Sequence, residues 1–373
     1  MKTRTLWIAS ALCLIMSGLV AFAMASSRRG PIEKKATTCS AVNPIVYYAD
    51  HLRVEEPERH GNLSLFPVSA PSVKAPAVTL TLTQAVKQGL FEVMEMKESE
   101  VNRLRVRNRA KEPVFIMAGE MLRGGKQDRI AGDDLIVPPK TTLTVAVFCV
   151  EHGRWAGRES SFSVGHSLAG ARVRQSAGRG GGQGAVWSRV EEQQKALGAP
   201  SATGALRSVH DSEAVRDQMK PYLRALSDLP DEHHKAVGVV AVVGDQIIAA
   251  DLFSSRKLFE TMWPDLLEAY VIDALERDGG GVREPRRRHD AGFTKPAPSE
   301  KDVLRWLNGV RSAEMSAKDT PGDGELYELT GRELSGAALV FDCGLVHVGL
   351  FPGQVTIAEP DYNSLEFRRE RVR

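Results

Sequence analysis

The chain has 373 residues, 42% of them hydrophobic, and its 49 Lys+Arg against 47 Asp+Glu leave a formal net charge of only +2. That near balance gives no basis for a polyanionic partner of the whole protein, so no nucleic-acid partner is expected. Beyond an N-terminal leader about 345 residues remain, enough for one large or two ordinary domains with real cores.

Residues 1–25 carry the pattern of an export signal. Lys2 and Arg4 precede an apolar run over residues 6–21, and Ala23-Met24-Ala25 supplies a small-x-small cleavage site. The expected mature protein is therefore exported, periplasmic or secreted. The run is long for a signal core, so the alternative is an uncleaved N-terminal membrane anchor. No later stretch is long and apolar enough to span a bilayer, so no membrane contact is expected beyond the signal. Of the four cysteines, Cys39, Cys149 and Cys343 lie past the leader. Cys149 and Cys343 sit in strand-like apolar surroundings and either pair in an oxidising compartment or remain buried thiols.

Residues 26–61 are polar with little periodicity and read as a linker or arm. Residues 62–352 read as one α+β domain, followed by a tail over 353–373. Its β-rich front, 62–155, starts irregularly at 63–76. Thr81-Leu-Thr-Gln84 then fits a capping box for a short helix that Gly89 closes. Strands are expected at 91–96, 101–108, 114–118, 135–137 and 142–150. Over 101–108, Leu104 and Val106 alternate with Arg103, Arg105 and Arg107 in a clean period of two. Short strands at this spacing suggest an antiparallel β-sandwich or open barrel.

Residues 165–185 read as a mobile loop rich in glycine and arginine, placed to cover a neighbouring site. The back half, 186–352, is a mixture of helices and β-hairpins. Ser188-Arg-Val-Glu191 fits a second capping box, with Gly198 as the stop. A helix over 211–227 contains Pro221. Gly244-Asp245 turns a hairpin between 237–243 and 246–253. A long amphipathic helix follows Ser254-Ser255, with Pro264 breaking or kinking it. Gly279-Gly-Gly281 and Arg286-Arg-Arg288 read as a surface loop. A helix at 299–310 and strands at 326–329, 337–341 and 345–350 complete the chain.

The densest polar chemistry lies in two strand-end stretches. One holds Glu120, Arg123, Lys126, Gln127, Asp128 and Arg129, and the other Glu151, His152, Arg154 and Trp155. If they converge they form a site. Arg129 and Arg154 suit carboxylate or phosphate, Lys126 and Gln127 add a mobile charge and an amide, Glu120 and Glu151 accept from hydroxyls, and Trp155 stacks on a ring. The expected function is binding of a small anionic or polyhydroxylated ligand. One alternative is a hydrolase using Glu120, Asp128 and Glu151 as acid and base on a glycosidic or nucleotide-sugar-like substrate. Another is a structural or protein-interaction module, with the block a buried ion-pair network. No metal and no cofactor are expected, because His233-His234 is adjacent on a loop and no metal-binding spacing occurs. His347, between Val346 and Val348, reads as a core or strand-end histidine.

The motifs Gly119-Glu120-x-Leu122, Gly124-x-Lys126-Gln127-Asp128-Arg129 and Cys149-Val-Glu151-x-Gly153-Arg154-Trp155 resemble the ARG- and rhodanese-phosphatase-superfamily-associated protein domain. The likeness continues through Val186-Trp187, Gly238-Val-Val240, Asp251-x-Phe253 and the helix bearing Trp263 and Tyr270. Asp128 stands where that family more typically has an asparagine. The family name records association with ADP-ribosylglycohydrolases and rhodanese-phosphatase proteins, so the resemblance implies nucleotide or ADP-ribose-related chemistry.

Overall fold

The computed structural model describes residues 43–70, 78, 80–98, 100–154, 162–178, 181–279 and 296–353. The leader, Cys39, Trp155, Arg179, the Arg286–Arg288 run and the tail from residue 354 lie outside the described residues. All described residues belong to one of the chain's compact units.

The first element is α1 (Pro44–Asp50), capped by Asn43, whose side chain accepts from the Ile45 amide. β1 (Arg53–Val54), β2 (Glu58–His60) and β3 (Leu63–Ser69) follow. The expected linker is thus ordered structure from residue 44 onward. Burial of Ile45, Tyr48 and Ala49 against the sheet supplies what local periodicity does not.

β4 (Leu80–Thr81) leads into α2 (Leu82–Lys87), where Thr81 and Gln84 make the expected capping box. Then come β5 (Phe91–Glu95), β6 (Arg103–Asn108), β7 (Val114–Ile116), β8 (Glu120–Gly124), β9 (Arg129–Ala131), β10 (Leu135–Val137), β11 (Thr142–Cys149) and β12 (Phe162–Leu168). Six of these form an antiparallel sheet in the order β12-β8-β9-β11-β6-β5, nearly closed and barrel-like. Leu104 and Val106 of β6 point into its core as the alternation requires. β10, β7 and β4 form a smaller sheet.

Residues 171–178 are α3 (Ala171–Gly178), and α4 (Gly182–Ala196) follows. This corrects the expected glycine-arginine loop. It also corrects the expected helix start, since Ser188 lies inside α4. Ala171, Val173, Ala177, Val186 and Val190 are buried, four of them in one cluster with Met121 and Ile130 of β8 and β9. Packing of that small apolar face outweighs the intrinsic cost of about 1 kcal/mol per helical glycine.

α5 (Arg207–Asp211), α6 (Glu213–Leu226) and α7 (Leu229–Glu232) precede the β13 (Ala236–Val243) and β14 (Gln246–Phe253) hairpin. α8 (Arg256–Arg277), capped by Ser255, continues through Pro264 without a break. α9 (Glu300–Leu307), a 3-10 turn, and β15 (Glu314–Lys318), β16 (Glu325–Thr330), β17 (Leu334–Phe341) and β18 (Gly344–Pro352) close the described chain. The large antiparallel sheet runs β1-β3-β13-β14-β18-β17-β16-β15, with β2 beside β3. One face buries Phe253 against Phe259, Trp263 and Tyr270 of α8; the other packs Tyr48 of α1 and Trp306 of α9 over Val340 and Val348. The architecture is α+β, as expected. Among the described residues no helix is long and apolar enough to cross a membrane.

The two cysteines do not pair with each other, and the buried-thiol expectation holds for Cys149 alone. Cys149 is a free, buried thiol, whereas Cys343 is disulfide-bonded. Asp342 and Cys343, at φ 48° and 62°, make the tight turn between β17 and β18.

Candidate functional site

A cavity of about 390 Å³ opens beside the large sheet. α3 contributes Arg174 and Gln175, the β9–β10 connection Asp133 and Asp134, β16 Glu328 and Leu329, β17 Ala337, and β18 His347 and Phe351. That volume lies in the range typical of small-molecule pockets.

Glycines make the room. Gly349 on β18 stands opposite Asp251 on β14, and a Cβ there would sit 3.3 Å from His347 Cε1 and 3.5 Å from Asp251 Oδ1. At Gly336 on β17 a Cβ would lie 1.9 Å from the Gly349 carbonyl oxygen. Gly119, at φ +94°, adopts a conformation that L side chains rarely reach, and a Cβ there would run into the Arg174 stem at 2.5 Å.

A chain of buried charges forms the floor. His347 Nδ1 lies 2.6 Å from Asp134 Oδ2, and Asp134 Oδ1 accepts from the Ala118 amide at 2.8 Å. His347 Nε2 is 3.2 Å from Asp251 Oδ1. Arg174 donates to both Asp251 oxygens, at 2.8 and 2.7 Å, and the Tyr270 hydroxyl donates to Oδ2. The imidazole stacks on Phe253 with centroids 4.5 Å apart, and the Arg174 guanidinium lies 5.3 Å from the Phe351 ring centre. At the rim Lys318 Nζ is shared by Asp133 at 2.8 Å and Glu328 at 3.3 Å.

The electrostatics follow from this geometry. Burial alone would lower the His347 pKa, but Asp134 and Asp251 on either side outweigh it and raise it to about 9. The imidazolium form therefore prevails at neutral pH. Burial works against the Asp251 carboxylate too, yet Arg174 and His347 hold it below the usual carboxylate range. Two cations and two carboxylates make the floor neutral, while the rim has two carboxylates for one lysine.

The two sequence stretches converge at Gln127, Asp128, Glu151 and Arg154, while Glu120 lies apart from that junction. Glu120 starts β8 opposite Leu168, and its Oε2 accepts from the Met117 amide at 2.7 Å. Its burial, with Asp265 and Asp134 nearby, raises its pKa to about 8 despite that hydrogen bond. Asp128, Glu151 and Arg154 meet elsewhere. Arg154 bridges Glu151 at 2.6 Å and Asp128 at 3.2 Å, and Arg207 lies 3.4 Å from Asp128 and 3.7 Å from Glu151. Thr203 donates to Glu151 at 2.8 Å, and Gln127 donates to the Glu151 carbonyl at 2.9 Å. Arg129 is fully buried in β9 and donates to the Val101 carbonyl at 2.8 Å. The Lys126 amide donates to Glu95 at 2.8 Å. None of these residues lines the cavity. Burial raises the Cys149 thiol pKa, which opposes thiolate chemistry, and the Gln183 amide is bonded to both the Cys149 N–H and carbonyl.

From sequence, Asp134 goes unnoticed, Asp251 enters only within the family motif, and Arg174 reads as a scattered arginine of a solvated loop. A signal was present, since Asp251 and His347 each interrupt an apolar strand. What joins them is the cross-strand register, which sequence does not display.

A family model described as the ARG and Rhodanese-Phosphatase-superfamily-associated Protein domain matches residues 51–351. The chain belongs to this family. The match spans both the barrel-like sheet and the large sheet, and so contains the cavity and the Asp128–Glu151–Arg154 network alike. No curated protein and no solved structure matches the chain significantly.

Proposed function

We propose that this member of the ARG and Rhodanese-Phosphatase-superfamily-associated Protein domain family binds a small polyhydroxylated molecule in the cavity beside α3 and β18. The observation that carries this reading is the combination of a 390 Å³ cavity with a floor of mutually ion-paired charges, Asp134, His347, Asp251 and Arg174. A phosphate or carboxylate ligand needs a cation with bonds to give. Arg174 and His347 already face carboxylates, and Lys318 is shared by two. Rim carboxylates instead accept from hydroxyls, while Phe351, Leu329 and Ala337 suit the apolar face of a sugar ring.

The association in the family's name brings ADP-ribose into consideration, and this charge balance favours its ribose portion over its pyrophosphate. Binding is favoured over hydrolysis because Glu120, Asp128 and Glu151 do not line the cavity, and the carboxylates nearest each other are paired. Asp128 and Glu151 share Arg154, and both oxygens of Asp134 are hydrogen-bonded. The leader and the disulfide at Cys343 support an exported protein.

A thermal-shift screen tests this reading with neutral sugars, polyols, nucleosides, ADP-ribose and sugar phosphates. A neutral polyol at a hundred times its Kd should stabilise the protein by about 2.7 kcal/mol. Stabilisation by the phosphorylated compounds alone, or by none of the panel, would overturn it.

A further inference from the structure

A second cluster of ligating groups lies on other elements, where α7 runs into β13 and faces the β1–β2 edge. His233 caps the C-terminal end of α7. Its Nδ1 lies 2.8 Å from a Glu55 oxygen, and its Nε2 lies 3.2 Å from Glu58 Oε1. Ligating atoms of His233, Glu58 and Glu232 all fall within 4.8 Å of one another. We propose that His233, Glu58 and Glu232 form a binding site for a divalent transition-metal ion of the zinc class, with Glu55 orienting the imidazole.

The spacing fits the chemistry. Zinc–nitrogen and zinc–oxygen bonds of about 2.0–2.1 Å put tetrahedral neighbours about 3.3 Å apart, close to the His233–Glu58 separation. Glu232 is exposed, so its side chain can rotate to close the larger gap. A ligating histidine usually gives its other ring N–H to a carboxylate, which fixes the ring and the tautomer. Glu55 stands in that position, and its own amide donates to the Pro67 carbonyl at 2.9 Å.

The backbone carrying the ring is also held. The His233 amide donates to the Leu229 carbonyl at 3.0 Å, and Arg256 donates to the carbonyls of His233 and Pro230 at 3.1 and 2.8 Å. Arg256 also pairs with Glu260 at 2.6 Å, which fixes its side chain. Three carboxylates around one imidazole leave a surplus of negative charge for a dication. Three protein ligands leave a coordination position for water.

The test is a zinc titration of the chelator-stripped full chain, read by competition with a chromophoric chelator. The variants are His233→Asn, Glu58→Gln, Glu55→Gln and His234→Asn, each checked for folding by circular dichroism. Wild type is expected to take up one zinc ion per chain. His233→Asn and Glu58→Gln should weaken uptake at least a hundredfold, Glu55→Gln ten- to a hundredfold, and His234→Asn not at all. The proposal is overturned if wild type shows no stoichiometric uptake. It is equally overturned if folded His233→Asn and Glu58→Gln bind zinc as wild type does. Neither result touches the cavity, which shares no residue with this cluster.

Discussion

The ion chain beneath the cavity makes His347 a source of pH-dependent stability. Its pKa stands at about 9 in the folded protein against an ordinary 6.5. At 1.36 kcal/mol per unit, that difference corresponds to about 3 kcal/mol. A raised folded pKa means the contribution is complete below pH 6.5 and is lost as pH rises through about 9. Glu120 and Asp273, a buried residue of α8, raised by burial to about 8 and about 7, also lower stability as pH rises from the acid side, but both remain in a His347→Gln variant. The informative quantity is therefore the stability gap between wild type and His347→Gln. Urea unfolding in half-unit steps from pH 6 to pH 10 measures it. The gap should narrow by about 3 kcal/mol, mostly between pH 6.5 and 9. A gap that stays constant across that window would refute a buried imidazolium between Asp134 and Asp251.

Three further outcomes follow from the same geometry. Asp251→Asn removes the common partner of Arg174 and His347 and should cost about 3–5 kcal/mol in urea unfolding, because it leaves buried charge uncompensated; a loss below about 1 kcal/mol would contradict the network. Gly336→Ala places a methyl 1.9 Å from the Gly349 oxygen and should lower the Tm more than Gly89→Ala, where φ is +68° but nothing lies within 4 Å; the reverse order would contradict the β17–β18 packing. Cys149 should resist iodoacetamide in the native protein and react in urea, as peptide mapping would show; rapid native labelling would contradict its burial.

Much of the fold is legible in the chain because local signals agree with it. The Arg103–Asn108 alternation, the Thr81–Gln84 capping box and the Gly244-Asp245 turn each specify an element, and each forms. Where local and tertiary signals diverge, the reading fails. Residues 171–178 look like a loop by composition, yet they fold as α3 because Ala171, Val173 and Ala177 find a packed surface. β15 alternates only weakly and relies on its pairing with β16. The polar motifs do converge through Asp128, Glu151 and Arg154, but Glu120 stands apart, because β9 runs between β8 and β11 in the sheet. The cavity is assembled from α3, the β9–β10 connection, β16, β17 and β18, so its residues have no common stretch of sequence to announce them.

The most direct measurement of the central claim is a calorimetric titration of the most stabilising neutral polyol against wild type and Ala337→Phe. Ala337 lines the cavity from β17, and the larger ring would occupy it. The account predicts one saturable site in wild type and its loss in a folded Ala337→Phe variant. Equal binding to both proteins would contradict it.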